Sequence, residues 1–449
     1  MRRLDHLPGA NGRALIGSLG PYTRDRNAFL RDALRRHGDV CRVRLPLRDA
    51  VLIGHPDDAA RYLHDTSGAY QKLGFRLPLR NLVGGVAFQE GERFRDKRGA
   101  MVTMFAGDGL AGAFARVAAT VEARLDAEIA AGARGDDVVD LQQVLARVLL
   151  PGLLAALVTD PLQAAQVRTI DQGVRLATAT FGFLRFTSGP PNLLRGPQRL
   201  SLTAFPRLYR TVSALVRARR DSATQHDDVL GSLLALRGRD GAALGDQAVT
   251  NELALLLFAS YGATTAALTH TLARVLGNPE AAARLAAEYT EIRPAGHSLA
   301  EVRRLRWARA CFEEALRLQG SAPLIRIAAA DSALRGYVIP EGAPLVFPLA
   351  VIHRDPRWWR DPDTFDPSRF HDPSASEPRP ALAYLPFGAG PHRCLASQLA
   401  YALGQYLVPE LLRRYDPALL PGWTLTEVPG LAPGIAGGLP VRITAKRVR

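Results

Sequence analysis

The chain has 449 residues and a formal net charge of +14, with 47% hydrophobic and 22% charged residues, a balance typical of globular proteins. The positive charge is almost entirely arginine, and it is scattered along the chain. Because no basic stripe is interleaved with aromatic residues, nucleic acid is not an expected partner, whereas an acidic protein partner is compatible with this charge.

The composition gives no sign of separate modules. No Ser/Gly-rich run, block of like charge or repeat divides the sequence, so we predict a single domain over residues 1–449. The N-terminus has basic residues without an apolar run behind them, and we expect neither a signal peptide nor a membrane anchor. No segment is expected to span a bilayer, since the most apolar one, residues 144–158, is interrupted by an arginine and a Pro-Gly pair.

Three cysteines are too few for a disulfide framework and indicate a reducing, cytoplasmic location. Cys41 and Cys311 lie in apolar surroundings, and we expect both to pack in the core. The third cysteine has a different setting, described below.

Strand patterns begin near the N-terminus. Residues 27–37 have an amphipathic helical pattern that ends at Gly38, and alternating residues over 40–45 and 50–54 predict two short strands. Another helix is expected to start at Pro56.

Helical patterns then dominate. From about residue 108 to residue 318 they follow one another, with breaks at residues 131–136, 189–192 and 237–241. The longest covers residues 246–276, would extend about 45 Å, and stops at Gly277-Asn278-Pro279. After residue 318 come short strands between residues 328 and 352, an irregular stretch over 353–386, a helical stretch over 395–412 and a β-like tail. The expected fold class is mainly α with small β-sheets (α+β).

Residues 387–394, Phe-Gly-Ala-Gly-Pro-His-Arg-Cys, place one cysteine between a glycine-rich turn and an apolar helical stretch. A thiol at a helix N-terminus feels the positive end of the helix dipole, which favours the thiolate. The glycines would let a flat cofactor approach the sulfur, beside the aromatic side chain of Phe387. A thiolate in such a place suits one axial position of a haem iron. The alternative is that Cys394 is a small buried residue at the start of a helix.

This segment resembles the haem-binding loop of the cytochrome P450 monooxygenases, Phe-Gly-x-Gly-x-His/Arg-x-Cys-x-Gly/Ala, with Ala396 at the last position. The resemblance covers essentially the whole chain in the right order and suggests the soluble bacterial type. It implies the cytochrome P450 fold, with haem b (iron protoporphyrin IX) between the long helix and the Cys394 loop. It also implies that Cys394 is the metal ligand.

Glu314 and Arg317 lie three residues apart on one helix face with apolar flanks, so we expect partial burial rather than an exposed ion pair. The spacing resembles the Glu-x-x-Arg pair of the P450 family, which joins a second arginine to brace the haem loop. Arg369 occupies that second position. The resemblance therefore implies a structural brace made of Glu314, Arg317 and Arg369.

Haem has two propionates that need cationic or hydrogen-bonding partners. The resemblance implies three cofactor-binding residues besides Phe387 and Cys394, which are Arg98, Arg326 and His392. The family usually has Trp or His four residues before Arg98 as a further donor, but Phe94 stands here and cannot donate. Either one propionate bond is missing or a neighbour such as Arg95 replaces it.

The long helix contains a stretch that resembles the family's oxygen-activation motif, Ala/Gly-Gly-x-Asp/Glu-Thr-Thr/Ser. Thr264 falls at the key threonine and is the expected catalytic residue. Ala263 stands at the acid position and Tyr261 at the usual glycine. Without the acid, Thr264 must use water, a polar group of the substrate or another residue to relay protons. This departure concerns the hydroxylation step and leaves the expected haem site unaffected.

The resemblance implies a hydrophobic small-molecule substrate, O2, and ferredoxin with ferredoxin reductase as electron donors; a monomer is expected. By analogy, the distal pocket involves Phe88 and residues 181–186, 258–263, 321–324 and 433–435, which are mostly apolar. The acidic ferredoxin would meet the cations Arg93, Arg95, Lys97 and Arg393.

The expected function is a haem-thiolate monooxygenase that inserts oxygen from O2 into a C–H bond, with a role in bacterial secondary metabolism. Three alternatives stay open. One is an atypical haem-thiolate enzyme that couples, cyclises, dehydrates or isomerises its substrate. Another is a peroxygenase, and the last is a non-catalytic haem-binding domain that recruits a partner.

Overall fold

The computed structural model describes residues 4–9, 18–45, 48–72, 85–133, 137–186, 197–222, 226–238, 241–372, 378–428 and 433–446. The helices are α1 (Leu19–Arg24), α2 (Arg26–His37), α3 (Pro56–Leu63), α4 (Gly91–Thr103), α5 (Gly107–Gly132), α6 (Leu141–Leu157), α7 (Ala164–Phe186), α8 (Pro197–Asp221), α9 (Val229–Ala235), α10 (Asp246–Leu276), α11 (Pro279–Ile292), α12 (Leu299–Val302), α13 (Arg306–Leu318), α14 (Leu349–Ile352), α15 (Ser368–His371) and α16 (Ser397–Arg414). Short 3-10 helices lie at Val86–Phe88, Ala381–Ala383 and Gly390–His392.

The strands are β1 (Val40–Leu45), β2 (Arg48–Ile53), β3 (Tyr70–Lys72), β4 (Val138–Asp140), β5 (Leu324–Ala328), β6 (Ser332–Leu334), β7 (Tyr337–Ile339), β8 (Pro344–Phe347), β9 (Tyr415–Leu419), β10 (Glu427–Val428), β11 (Gly434–Ile435) and β12 (Pro440–Ala445). The predicted fold class, mainly α with small sheets, is confirmed. The expected break over residues 189–192 lies outside the described residues.

The long helix α10 has the bounds that the sequence predicts and runs through the main hydrophobic core. It packs against α6, α8, α13 and α16, so most of its sides need apolar residues. The Gly277-Asn278-Pro279 segment that ends α10 also starts the next helix. The Asn278 side chain accepts a hydrogen bond from the Ala281 N–H and caps the N-terminus of α11.

The same apolar character corrects one expectation. Among the described residues, α10 is long and apolar enough to cross a membrane by length and composition alone, contrary to the expectation that no segment reaches this length. Half of its most apolar window is buried inside the protein. A buried core helix meets the same criteria as a membrane span.

The largest sheet brings distant parts of the chain together. Its strand order is β1-β2-β8-β5-β3, with β2 and β8 parallel and the other pairs antiparallel. At its edge, β3 pairs with β5 so that Lys72 lies directly opposite Arg326. Side chains of directly opposed residues project on the same face of a sheet. This register brings a residue from the first fifth of the chain to the candidate site.

Candidate functional site

The Cys394 loop is held closed by its own backbone. The Cys394 N–H donates to the Phe387 carbonyl (2.8 Å), and the Arg393 N–H donates to the Gly390 carbonyl (3.0 Å). Gly388 and Gly390 have φ values of +70° and +67°, which side-chain-bearing residues rarely adopt. A Cβ on Gly390 would also lie 1.9 Å from the Leu63 carbonyl oxygen at the end of α3. Both the turn and the close approach therefore require glycine at this position.

The Cys394 side chain is accessible to solvent, although protein atoms surround it closely enough to affect its ionisation. Burial raises the pKa of the thiol, while the Ala396 N–H and the charges of Arg98 and Arg393 act in the opposite direction. The expectation that the helix terminus favours the thiolate is therefore wrong for the protein alone, because desolvation of the sulfur is the larger effect. The helix also starts later than predicted, at Ser397. A metal ion deprotonates a coordinating thiol by its own charge.

The other cysteines are core residues, as expected. Cys41 and Cys311 are buried, and burial raises the pKa of the Cys41 thiol to about 12 and that of Cys311 further. Cys394 alone among the three presents an accessible sulfur.

Phe387 links the start of the loop to the helix that follows it. Its ring meets the ring of Tyr401 on α16 edge to face, with centroids 4.9 Å apart. The guanidinium of Arg309 also lies against Tyr401, 3.3 Å from the ring centroid. The aromatic side chain at the first loop position is thus held by packing.

Of the three expected propionate partners, His392 lies within the loop, Arg98 comes from α4, and Arg326 comes from β5 and acts electrostatically on His392. The Arg98 guanidinium donates to the Arg393 carbonyl next to Cys394. Arg326 is buried and donates to the carbonyl of its neighbour Ile325 (3.1 Å). Burial lowers the pKa of both arginines. Because a guanidinium has five N–H groups and each of these two makes one hydrogen bond to the described residues, both retain donors that can serve an anion.

His392 has an acidic neighbour that the sequence analysis does not single out. Its Nε2 lies 3.2 Å from a carboxylate oxygen of Glu90, and its Nδ1 is buried without a hydrogen-bond partner within the described residues. Burial alone would raise the pKa of Glu90, but hydrogen bonds from His392 and from the Lys72 N–H lower it. Burial lowers the pKa of His392, although Glu90 acts in the opposite direction.

The alternative donor Arg95 points away from the site. About half of its side chain is exposed, and it contacts Glu92 and the Thr66 carbonyl at the surface. Phe94 is buried, with its ring centroid 4.3 Å from that of His392. The cation that does lie at the Phe94 ring is Lys72, at 4.4 Å from the centroid. Sequence reasoning missed it because nothing local to β3 indicates the pairing with β5.

The middle of the core helix α10 has one exposed face. Ala263 and Ala259, one turn apart, are exposed, and Thr264 is half-buried. The Thr265 hydroxyl donates back to the Tyr261 carbonyl (2.9 Å), which Ser/Thr side chains often do in helices. Within the described part of the chain, the Thr264 hydroxyl has no such partner. Of the two adjacent threonines, Thr264 therefore keeps its hydroxyl available.

Tyr261, at the usual glycine position, turns to another side of the helix. It is buried beneath α7, where the guanidinium of Arg175 lies 5.7 Å from its ring centroid. Burial raises its pKa to about 12. Residues two positions apart on a helix point about 200° away from each other. The bulk of Tyr261 therefore does not crowd Ala263.

Glu314, Arg317 and Arg369 do lie together. Glu314 and Arg317 are fully buried and form a two-pronged ion pair, with N–O distances of 2.6 and 2.7 Å. The Arg369 Nε lies 3.4 Å from the same carboxylate. Arg317 also donates to three backbone carbonyls, those of His353, Pro362 and Thr364. These contacts tie α13 to the irregular segment that precedes the Cys394 loop.

A buried histidine extends this network toward the loop. The carbonyl of His353 accepts from Arg317 (2.8 Å), and its ring Nε2 accepts from the Leu385 N–H (3.0 Å), two residues before Phe387. Burial lowers the pKa of His353 to about 3, so the ring is neutral. His353 carries no motif, and the sequence analysis did not identify it.

The remaining expected site residues are divided between surface and interior. Arg393 is exposed, whereas Lys97 turns inward and pairs with buried Glu252 at 2.8 Å. Lys97 is thus not a free surface cation. Pro433 and Ile435 are buried, and Phe258, Ser321 and Leu324 are half-buried. The side chains of Phe88, Arg93 and residues 181–186 lie outside the described part of the structure.

The donor set fits a haem. Cys394 is the exposed soft ligand, while half-buried Arg98 and buried Arg326 have N–H groups that the described residues do not fully use. The buried Nδ1 of His392, without a partner in the described chain, adds a third polar atom. One thiolate for iron and several donors for two carboxylates are what this cofactor needs.

Comparisons with known proteins agree with this fit. The family model described as Cytochrome P450 matches residues 7–427. The chain is 28% identical over 411 residues to putative cytochrome P450 132 of Mycobacterium bovis, covering 86% of each chain. It is 28% identical over 403 residues to cyclooctat-9-en-7-ol 5-monooxygenase of Streptomyces melanosporofaciens, covering 88% of this chain and 85% of the relative. The solved structure of retinoic acid bound cyanobacterial CYP120A1 is similar, with a TM-score of 0.82 at 21% identity and coverage of 98% and 99%. The chain belongs to the cytochrome P450 family of haem-dependent oxidoreductases.

Proposed function

We propose that the protein is a haem-thiolate monooxygenase that inserts one oxygen atom from O2 into a C–H bond of a hydrophobic small molecule. The observation that carries the proposal is the exposed Cys394 on a glycine loop, with the guanidinium of Arg98 bonded to the neighbouring Arg393 carbonyl and buried Arg326 near His392. Its similarity to a Streptomyces monooxygenase named for a cyclic alcohol substrate supports a role in bacterial secondary metabolism.

The cofactor in this proposal is haem b. Cys394 ligates the iron, and Arg98, Arg326 and His392 hold the propionates. Bound in this way, haem supplies the activation of O2 that no protein side chain can perform, and the thiolate donates electron density that favours O–O cleavage. Phe387 begins the ligand loop and packs against Tyr401, and the Glu314–Arg317–Arg369 brace keeps the loop in position.

Thr264 is the proposed catalytic residue because its hydroxyl is available. It can hold a water molecule and pass a proton from that water toward the haem side of α10. The alanine at position 263 offers no carboxylate for this relay, so the proton must come through water or through a polar group of the substrate. The exposed face formed by Ala259 and Ala263 leaves room for both.

Electrons come from a ferredoxin and its reductase in this proposal, and the protein acts as a cytoplasmic monomer. Arg95 and Arg393 are exposed and suit an acidic docking partner, whereas Lys97 is paired internally with Glu252. Charge reversal of Arg95 to Glu should slow reduction by ferredoxin most at low salt. An unchanged rate and salt dependence would remove this docking surface from the proposal. Size-exclusion chromatography and cell fractionation test the oligomeric state and location.

The first test is the absorption spectrum of the reduced protein with carbon monoxide, for wild type and for Cys394→Ser. A red-shifted Soret band that the substitution abolishes would support thiolate-ligated haem at Cys394. A protein that binds no haem, or a band that the substitution leaves unchanged, would contradict the mechanism. Isotope-labelled O2 in a substrate screen then tests oxygen insertion.

Ala263 favours a second candidate, an atypical haem-thiolate enzyme that couples, cyclises or isomerises its substrate or uses peroxide directly. Products without oxygen from labelled O2 would identify the first kind. Turnover with peroxide and none with reductant would identify a peroxygenase. Tight binding to a carrier protein without any turnover would instead indicate a recruitment domain.

A further inference from the structure

Lys72 lies beside Phe94, the residue that stands where a propionate donor is expected. It is the last residue of β3 and lies directly opposite Arg326 on β5. Its ammonium group is 4.4 Å from the ring centroid of Phe94, the residue that stands where a donor is usual. Two of the three lysines in this arginine-rich chain, Lys72 and Lys97, are in this region.

The Lys72 ammonium is oriented by one hydrogen bond and by the Phe94 ring. It donates to the Val86 carbonyl at 3.1 Å, which uses one of its three N–H groups. Its backbone N–H donates to Glu90 at 2.7 Å, and Glu90 pairs with His392. The lysine therefore lies between β5, the start of α4 and the Cys394 loop, and the described residues leave two of its ammonium N–H groups available for another acceptor.

The charges around Lys72 are not balanced by the described residues. Arg98 and Arg326 are both within electrostatic reach of Lys72, and burial lowers the pKa of Lys72 to about 8. Two carboxylates, Glu90 and Glu252, lie near Lys72. Because Glu252 already forms an ion pair with Lys97 at 2.8 Å, Glu90 is the one left to offset these three cations. Three cations against one carboxylate leave an excess of two positive charges.

Such an excess is unfavourable without an anion. Like charges directly opposite each other on adjacent strands destabilise a sheet, and burial increases the repulsion. Two carboxylates placed among these cations would neutralise the excess. Haem b brings two propionates, so the surplus charge equals the charge of the cofactor's acidic groups.

We propose that Lys72 is a cofactor-binding residue that donates to a haem propionate beside Arg326 and replaces the donor missing at Phe94. This inference rests on the proposed haem-thiolate function. Arg95 does not take the role, because its side chain is turned to the surface. Lys72 reaches this site from β3, which is far in sequence from Arg326 and the Cys394 loop.

The test measures haem retention rather than turnover. The haem-loaded protein is mixed with excess apomyoglobin, and the rate of haem transfer is followed in the Soret band for wild type, Lys72→Met, Lys72→Arg and Arg95→Met. Methionine keeps the unbranched stem against Phe94 and removes the charge. We expect Lys72→Met to lose haem about 10-fold faster, as suits a lost charge-assisted hydrogen bond. Lys72→Arg and Arg95→Met should stay within about 2-fold of wild type.

Haem dimethyl ester, which has no propionate charge, separates the ionic contact from packing. Apoprotein reconstituted with the ester should lose it at similar rates in wild type and Lys72→Met. Equal loss of normal haem from these two proteins would overturn the inference, as would an equally large effect with the ester. Should Lys72→Met fail to fold, Lys72→Gln replaces it in the same comparison. A wild type without haem, or a Cys394→Ser spectrum like wild type, would instead refute the underlying function.

Discussion

Replacing Arg317 by methionine should cost more stability than any surface charge substitution. Arg317 and Glu314 are fully buried, so the change leaves a buried carboxylate without its main partner. It also removes donors from three backbone carbonyls, those of His353, Pro362 and Thr364. Breaking a buried ion pair by removing one partner costs roughly 3–5 kcal/mol.

The expected loss lies within this range rather than above it. Glu314 would keep the Arg369 guanidinium at 3.4 Å and the Asp366 N–H at 3.0 Å, which partly satisfy its charge. The three carbonyls would each cost about 1–3 kcal/mol if left unsatisfied, but water can enter the space that the shorter methionine leaves and bond to them. Since proteins are stable by only about 5–15 kcal/mol, the variant would lose a large part of its stability.

The assay is urea unfolding of the haem-loaded protein, followed by circular dichroism and by the Soret band. Arg35→Met is the matched control, because Arg35 pairs with Asp32 on the surface of α2 with 78% of its side chain exposed. Exposed pairs of this kind contribute about 1 kcal/mol at most. If Arg317→Met loses no more free energy of unfolding than Arg35→Met, the burial argument is refuted.

A local measurement tests whether the brace reaches the cysteine loop. The path runs from Arg317 through the His353 carbonyl, and from the His353 ring to the Leu385 N–H. Peptides that contain Leu385 should therefore exchange amide hydrogens faster in Arg317→Met, while peptides from α2 stay unchanged. Unchanged exchange at Leu385 would show that the brace stabilises α13 without holding the loop.

Three further outcomes are expected. Gly390→Ala should reduce haem content more than Gly388→Ala. Both glycines have positive φ, but a Cβ at 390 would lie 1.9 Å from the Leu63 carbonyl oxygen, whereas the nearest atom to a Cβ at 388, outside its chain neighbours, is a Leu324 methyl carbon at 3.6 Å. Equal haem content in the two variants would contradict this. Thr264→Val should lower the product formed per electron consumed, whereas Thr265→Val, whose hydroxyl is already bonded to its own helix, should not; similar yields in both would argue against the proton relay. The pKa of His353 is depressed to about 3 from an ordinary value near 6.5, so the unfolded chain binds the extra proton and stability falls as the pH drops from about 6.5 toward 3. His353→Gln should flatten this dependence by about 1.4 kcal/mol per pH unit in urea unfolding between pH 6 and 4.5, and identical slopes would refute the assignment.

The sequence alone determined the features that depend on residues close together in the chain. The Cys394 loop is eight residues long, and its turn needs glycine wherever the rest of the chain lies. Helix α10 follows from an uninterrupted apolar helical pattern and a Gly-Asn-Pro stop. Glu314 and Arg317 meet because helical spacing puts them on one face. Local geometry suffices for each of these features.

Tertiary structure decided which charges end up together and how much water they keep. Lys72 joins Arg326 only through the register of β3 on β5, and Lys97 is drawn inward by Glu252 on α10. Burial raises the pKa of Cys394 where the helix terminus alone predicted the opposite, since desolvation depends on all the surrounding elements. His353 became part of the brace through contacts with residues more than 30 positions away on either side. These outcomes depend on long-range packing, which a local pattern of residue types does not encode.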